Sequence, residues 1–166
     1  TIGRIFPHMR TPEKRKDVSR HRQALEAGGF KVLVNESFFL PEENIFIVGI
    51  DYPAIKDQAL AGLMQKAPAG KGLLKLGLFH LPCHLEQLAS AGFDLVFGGH
   101  THGGQIRLPG LGAIITDSEL ERAEASGLLR RGQTQFHISR GLGADPRSNL
   151  RLFCPPAATV IELSRN

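Results

Sequence analysis

The residues of this 166-residue chain best placed to do chemistry are three histidines. His80 closes the apolar run 73–79 and opens His80-Leu81-Pro82. His100 and His102 lie in Gly98-Gly99-His100-Thr101-His102-Gly103-Gly104, directly after a second apolar run at 94–97. Neutral imidazole is the commonest protein ligand for Zn, Mn and Fe. Glycines lack a Cβ, so the backbone around them can turn sharply and approach an ion or a phosphate closely. A lone histidine at a strand end is more often a satisfied polar residue than a ligand. A His-x-His held between two Gly-Gly pairs, with a third histidine at a neighbouring strand end, has little structural purpose and points to a metal site.

The elements that must position them follow from the pattern. Runs 73–79 and 94–97 are short, largely apolar and bounded by turn residues, as strands buried on both faces are. Between them, residues 84–91 place Leu85, Leu88 and Ala89 at helical spacing, and Gly92 suits the position just past a helix end. A strand–helix–strand crossover makes its two strands parallel, so both end on one edge of the sheet. His80, His100 and His102 are therefore expected to converge at the carboxyl edge, where open α/β sheets bind ligands.

Gly99-His100-Thr101-His102-Gly103-Gly104-Gln105, preceded by Asp94-Leu95-Val96 and by His80-Leu81-Pro82, resembles the calcineurin-like metallophosphoesterases, in the branch whose signature reads GHTHGGQ. Residues 24–35 are similar to the family's segment before the first strand of its C-terminal half, and 138–143 and 151–156 to its closing elements. The resemblance thus covers residues 22–164 and implies a mixed β-sheet with flanking helices, the C-terminal half of a four-layer αββα sandwich. It implies hydrolysis of phosphomono- or phosphodiesters through a hydroxide bridging two divalent ions (Mn, Fe or Zn). His80 and His100 would bind one ion and His102 the other, with Gln105 or Arg140 touching the phosphate. The family's Asp-x-His, Gly-Asp and Gly-Asn-His-Asp motifs do not occur in this sequence. The expectation is therefore a C-terminal portion that holds at most one ion weakly by itself. Its partner would be an N-terminal half, or another copy meeting it through an exposed sheet face. A non-catalytic metal-binding or interaction module is the alternative.

Composition frames these readings. The length suits one domain with a real core, and 42% apolar with 22% charged residues is ordinary for a globular protein. No run approaches the ~18–20 apolar residues of a membrane span. The chain begins with Thr1, so upstream sequence, with any targeting signal, is expected to be missing. Residues 1–30 form a distinct basic segment, with seven Lys/Arg against three acids, a balance of +4 that equals the net charge of the whole chain. Pro12 opens a helix-like stretch there, and Gly28-Gly29 closes it. Without interleaved aromatics this reads as a solvated helix face, which argues against nucleic acid as a partner. Residues 31–166 form the second unit.

Within that unit, 31–35 and 43–50 read as strands joined through Phe38-Phe39-Leu40-Pro41-Glu42, and 54–65 as a helix. Short strands are expected over 106–108 and 113–116, a short helix or loop over 118–126, and further strands over 128–131, 134–139 and 159–163. Asp51 is either a turn residue or an acid near the rim of the site, and His137, in an alternating strand, is structural. Cys83 and Cys154 make no disulfide framework and fit packing. His84 is a weak candidate for supporting His80.

Overall fold

The structure, a computed structural model, describes residues 17–51, 55–145 and 149–164. Residues 1–16 of the basic arm, with the expected helix start at Pro12, lie outside them. The arm's described part is helix α1, Ser19–Ala27, which buries none of its residues. Just before it, Asp17 accepts the Ser19 N–H at 2.9 Å, which holds the Asp17 carboxyl below its ordinary pKa. Gly28 and Gly29 end it, Gly29 at φ 85°, with the Phe30 N–H returning to Leu25 O.

A six-stranded mixed sheet follows, in the order β1-β2-β3-β4-β8-β7. Its strands are β1 (Glu36–Leu40), β2 (Ile45–Ile50), β3 (Leu74–Phe79), β4 (Leu95–Gly98), β7 (Gly127–Arg131) and β8 (Thr134–Ile138). Helix α2 (Asp57–Met64) connects β2 to β3, and α3 (Leu85–Ser90) connects β3 to β4. These crossovers make β2, β3 and β4 parallel, and β8 adds parallel to β4. A two-stranded ribbon, β5 (Arg107–Leu108) with β6 (Gly112–Ala113), stands apart.

The two faces of the sheet differ because side chains alternate along each strand. Phe46, Val48 and Ile50 of β2, Val96 of β4 and Phe136 and Ile138 of β8 pack with Leu60 and Leu63 of α2 and Leu85 and Leu88 of α3 into one core. The opposite face carries Phe38, Ile45, Ile47, Leu74, Leu76, Leu78, Leu95, Phe97 and Leu128 and has no helix over it among the described residues. Leu78 is 43% exposed there and Leu128 66%, while Leu76 and Leu95 are buried.

Two expected strands are corrected. Residues 31–35 form none: Leu33 lies across the open face of β2, its carbonyl oxygen 2.7 Å from where a Cβ on Gly49 would stand. Asn35, at φ 53°, then turns the chain into β1, so the stretch taken as a connection is the strand. Pro41 to Asn44 close the hairpin, with the Asn44 N–H reaching Pro41 O at 3.3 Å. Residues 159–163 also form no strand. They are rich in β-formers but pair with no sheet edge, and Val160 is 96% exposed. The helix expected over 54–65 is shorter, and 118–126 is a loop with one 3₁₀ turn at Arg122–Glu124. No helix among the described residues is long and apolar enough to cross a membrane.

Candidate metal centre

In the parallel pair of β3 and β4, Leu76 lies opposite Leu95 and Leu78 opposite Phe97, so both strands end at one edge. His80 is the first residue past β3 and His100 the second past β4. Their rings meet edge to face, with centroids 5.6 Å apart and planes at 86°. Burial of its ring, then the charges of His100 and of His102, hold the His80 pKa below the ordinary histidine value. That favours the neutral imidazole, the form that binds metals. Gly99 makes room for this arrangement: a Cβ there would stand 3.3 Å from His80 Nδ1.

The second ring is oriented by a backbone carbonyl. His100 Nε2 lies 3.1 Å from Asp117 O. A carbonyl only accepts, so Nε2 carries the proton, and in the neutral ring Nδ1 is the bare nitrogen.

The loop holding His100 and His102 is strained. His100, His102 and Gln105 have φ of 66°, 50° and 53°, and Gly103 and Gly104 have 68° and 82°. Left-handed backbone at a non-glycine residue costs of order 1 kcal/mol or more, and it persists where the surroundings over-determine it. Here they do. Buried Thr101 donates to Ala125 O at 2.7 Å and accepts the Gly103 N–H at 3.2 Å. Arg107 Nη1 donates to Gly103 O at 3.0 Å, and Arg151 Nη1 to His102 O at 3.1 Å. Such strain clusters at functional sites.

The donor set suits a divalent transition ion, and the paired rings with the Gly99 cradle fit the imidazole share of a metal site. Among the described residues, however, no group of three or more His, Cys, Asp or Glu side chains closes on a common point. What is present is a pair of imidazole rings, His80 and His100, beside a strained loop.

The remaining candidates lie as follows. Gln105 is buried, and its Oε1 accepts the Asp145 N–H at 2.7 Å, which ties it to a neighbouring loop. Arg140 donates from Nε to Ser126 Oγ at 3.2 Å and lines a hollow of about 640 Å³ on the open face of the sheet, together with Leu95, His137 and Val160. Asp51 directly follows β2, whose Ile50 pairs with Phe79, so its backbone shares the carboxyl edge with His80. Asp94 lies at the opposite end of β4, where Oδ2 accepts the Lys75 N–H at 2.7 Å. His84 starts α3 at φ 53°, and its own N–H donates to Glu119. Cys83 is buried, and burial, then Glu119, push its thiol up to about 11. His137 packs edge-on against Phe97, a structural placement.

The sequence reading missed Thr101, Asp117 and Arg151. Asp117 acts through its backbone, which no side-chain pattern reports. Arg151 has one cue, a charge inside the otherwise apolar stretch 150–153.

Known proteins similar to this chain include a phosphodiesterase, metallophosphoesterases and a pyrophosphatase. Phosphodiesterase YaeI of Escherichia coli (strain K12) is 33% identical over 144 residues, 85% of this chain and 50% of that protein. The uncharacterized metallophosphoesterase YkuE of Bacillus subtilis (strain 168) is 30% identical over 146 residues, 86% of this chain and 50% of that protein. UDP-2,3-diacylglucosamine pyrophosphatase LpxG of Chlamydia muridarum (strain MoPn / Nigg) is 33% identical over 140 residues, 80% of this chain and 41% of that protein. No family model and no solved structure matches the chain. The chain spans about half the length of the curated relatives it matches. With its GHTHGGQ stretch, its mixed α/β sheet and these relatives, it belongs to the calcineurin-like metallophosphoesterase family.

Proposed function

We propose that this chain is the C-terminal portion of a dinuclear-metal phosphoesterase, acting on a phosphodiester or diphosphate bond, with His80, His100 and His102 as metal ligands. One observation carries the reading: the edge-to-face His80–His100 pair at the ends of adjacent parallel strands, beside the strained loop that holds His102. Divalent ions at such a site supply Lewis acidity toward phosphoryl oxygens and acidify a bound water. The chain's own share is to present the imidazoles, hold the His100 tautomer through Asp117, and fix the loop through Thr101, Arg107 and Arg151. The carboxylate that would bridge two ions is expected from an N-terminal half. The relatives' length and the partly exposed apolar sheet face both support that expectation.

The test is hydrolysis of an aryl phosphodiester with Mn²⁺. The 166-residue chain alone should turn over barely above the metal-only background. Co-expression with an upstream segment carrying the Asp-x-His, Gly-Asp and Gly-Asn-His-Asp motifs should restore turnover, and His100→Ala or His102→Ala should abolish it. Robust hydrolysis by the chain alone would overturn the half-enzyme reading. Failure of any upstream segment to restore activity would favour a non-catalytic metal-binding module.

A further inference from the structure

We infer that Arg151 is a positioning residue for the metal centre: its guanidinium pins the His102 peptide in the left-handed conformation that aims the imidazole. This rests on the reading of His102 as a metal ligand. Arg151 Nη1 donates to His102 O at 3.1 Å and to Cys154 O at 3.1 Å. Nη2 donates to Arg140 O at 2.8 Å and to Gly143 O at 2.5 Å, and Nε to Gly143 O at 2.9 Å. One half-buried side chain thus ties together the loop after β4, the loop after β8 and the segment around Cys154.

The geometry needs an arginine. A guanidinium is a rigid planar fork with five N–H donors, whereas a lysine ammonium is a point charge on a flexible stem and cannot span carbonyls in several directions at once. The His102 carbonyl is the one that matters for chemistry. His102 sits at φ 50°, where a residue with a Cβ is disfavoured by of order 1 kcal/mol. The charge-assisted bond to its carbonyl opposes relaxation toward the right-handed region, which would redirect the imidazole. Gly103 keeps the packing open for this tie. A Cβ there would come within 2.8 Å of Arg140 Cγ and 2.9 Å of Cys154 Sγ.

Mn²⁺ affinity, measured by calorimetry on the full chain, tests the inference without requiring turnover. Arg151→Lys should weaken binding by roughly 10-fold, as loss of a group that orients a ligand does. Arg151→Ala should weaken it at least as much, and millimolar guanidinium chloride should restore part of the loss in the Ala variant and none in the Lys variant. Amide exchange at Val96 and Phe97 should stay as in the unmodified protein, because β4 is held by its own ladder. His102→Ala separates the two readings. If it weakens Mn²⁺ binding while both Arg151 variants bind normally, this inference fails and the metal reading stands. If it leaves binding unchanged, the metal reading fails and takes this inference with it. Lost β4 protection in Arg151→Lys, with no guanidinium rescue of Arg151→Ala, would assign Arg151 to general stability and overturn the positioning role.

Discussion

Gly103 shows how much a single Cβ weighs beside the histidines. Its φ of 68° strains any other residue, and an added methyl would press on Arg140 and Cys154. Gly103→Ala should therefore lower stability by about 2 kcal/mol in urea unfolding. Gly110 makes the comparison: it also has positive φ, 77°, but a Cβ there meets nothing within 4 Å. Gly110→Ala should cost about 1 kcal/mol, the backbone share alone. Equal losses at the two sites would show that the packing around Gly103 is looser than described. Cys83 carries a second prediction at this scale. Its thiol, buried and raised to about 11 from an ordinary 9.0, should alkylate at pH 8 roughly 100-fold more slowly than in the unfolded chain. The linkage has a definite sign. Between about 9 and 11 the unfolded chain gives up this proton and the folded chain keeps it, so stability should fall as pH rises through that window. Rapid native-state labelling at pH 8 would count against a packing role.

Among the elements, the β3–α3–β4 unit was the most legible in the sequence, because everything that defines it is local. Two apolar runs, a helical spacing and Gly92 past the helix end lie within one continuous stretch, and the strands form where expected with a shift of one residue at β4. β1 is hidden because Phe38, Phe39 and Leu40 show no alternation of their own, and their two faces are defined only by the β2 register. Residues 159–163 fail for the complementary reason: Val160, Ile161 and Leu163 suit a pleated surface but do not supply the neighbouring edge. The histidines could be placed on one edge by topology alone. The groups that hold them could not, since Asp117 and Arg151 reach the loop from distant parts of the chain. The same element logic predicts unequal costs on the two sheet faces. Phe136, fully buried between β4 and β7 on the helix side, should cost about 3–5 kcal/mol as Phe136→Ala. Leu128→Ala, on the open face, should change stability by about 0.5 kcal/mol or less in the same unfolding assay.

For the whole molecule, the governing feature is a sheet with helices on one side only. An apolar face of this kind normally packs against a second layer. The isolated chain should therefore self-associate, its sedimentation coefficient rising with concentration, and should bind an exposed-surface dye. Leu78→Glu with Leu128→Glu should suppress both while leaving the core on the helix side intact. A cooperative, monomeric unfolding transition without dye binding would mean that the face is stable uncovered.

Metal binding by the histidine rim underlies the proposed chemistry, and X-ray absorption spectroscopy on the chain loaded with Zn²⁺ reads it at the ion. One ion per chain is expected, with imidazole nitrogens at ~2.0–2.1 Å, and loss of that scattering in the double variant His100→Ala, His102→Ala. A first shell without imidazole, or one that survives the double variant unchanged, would contradict it.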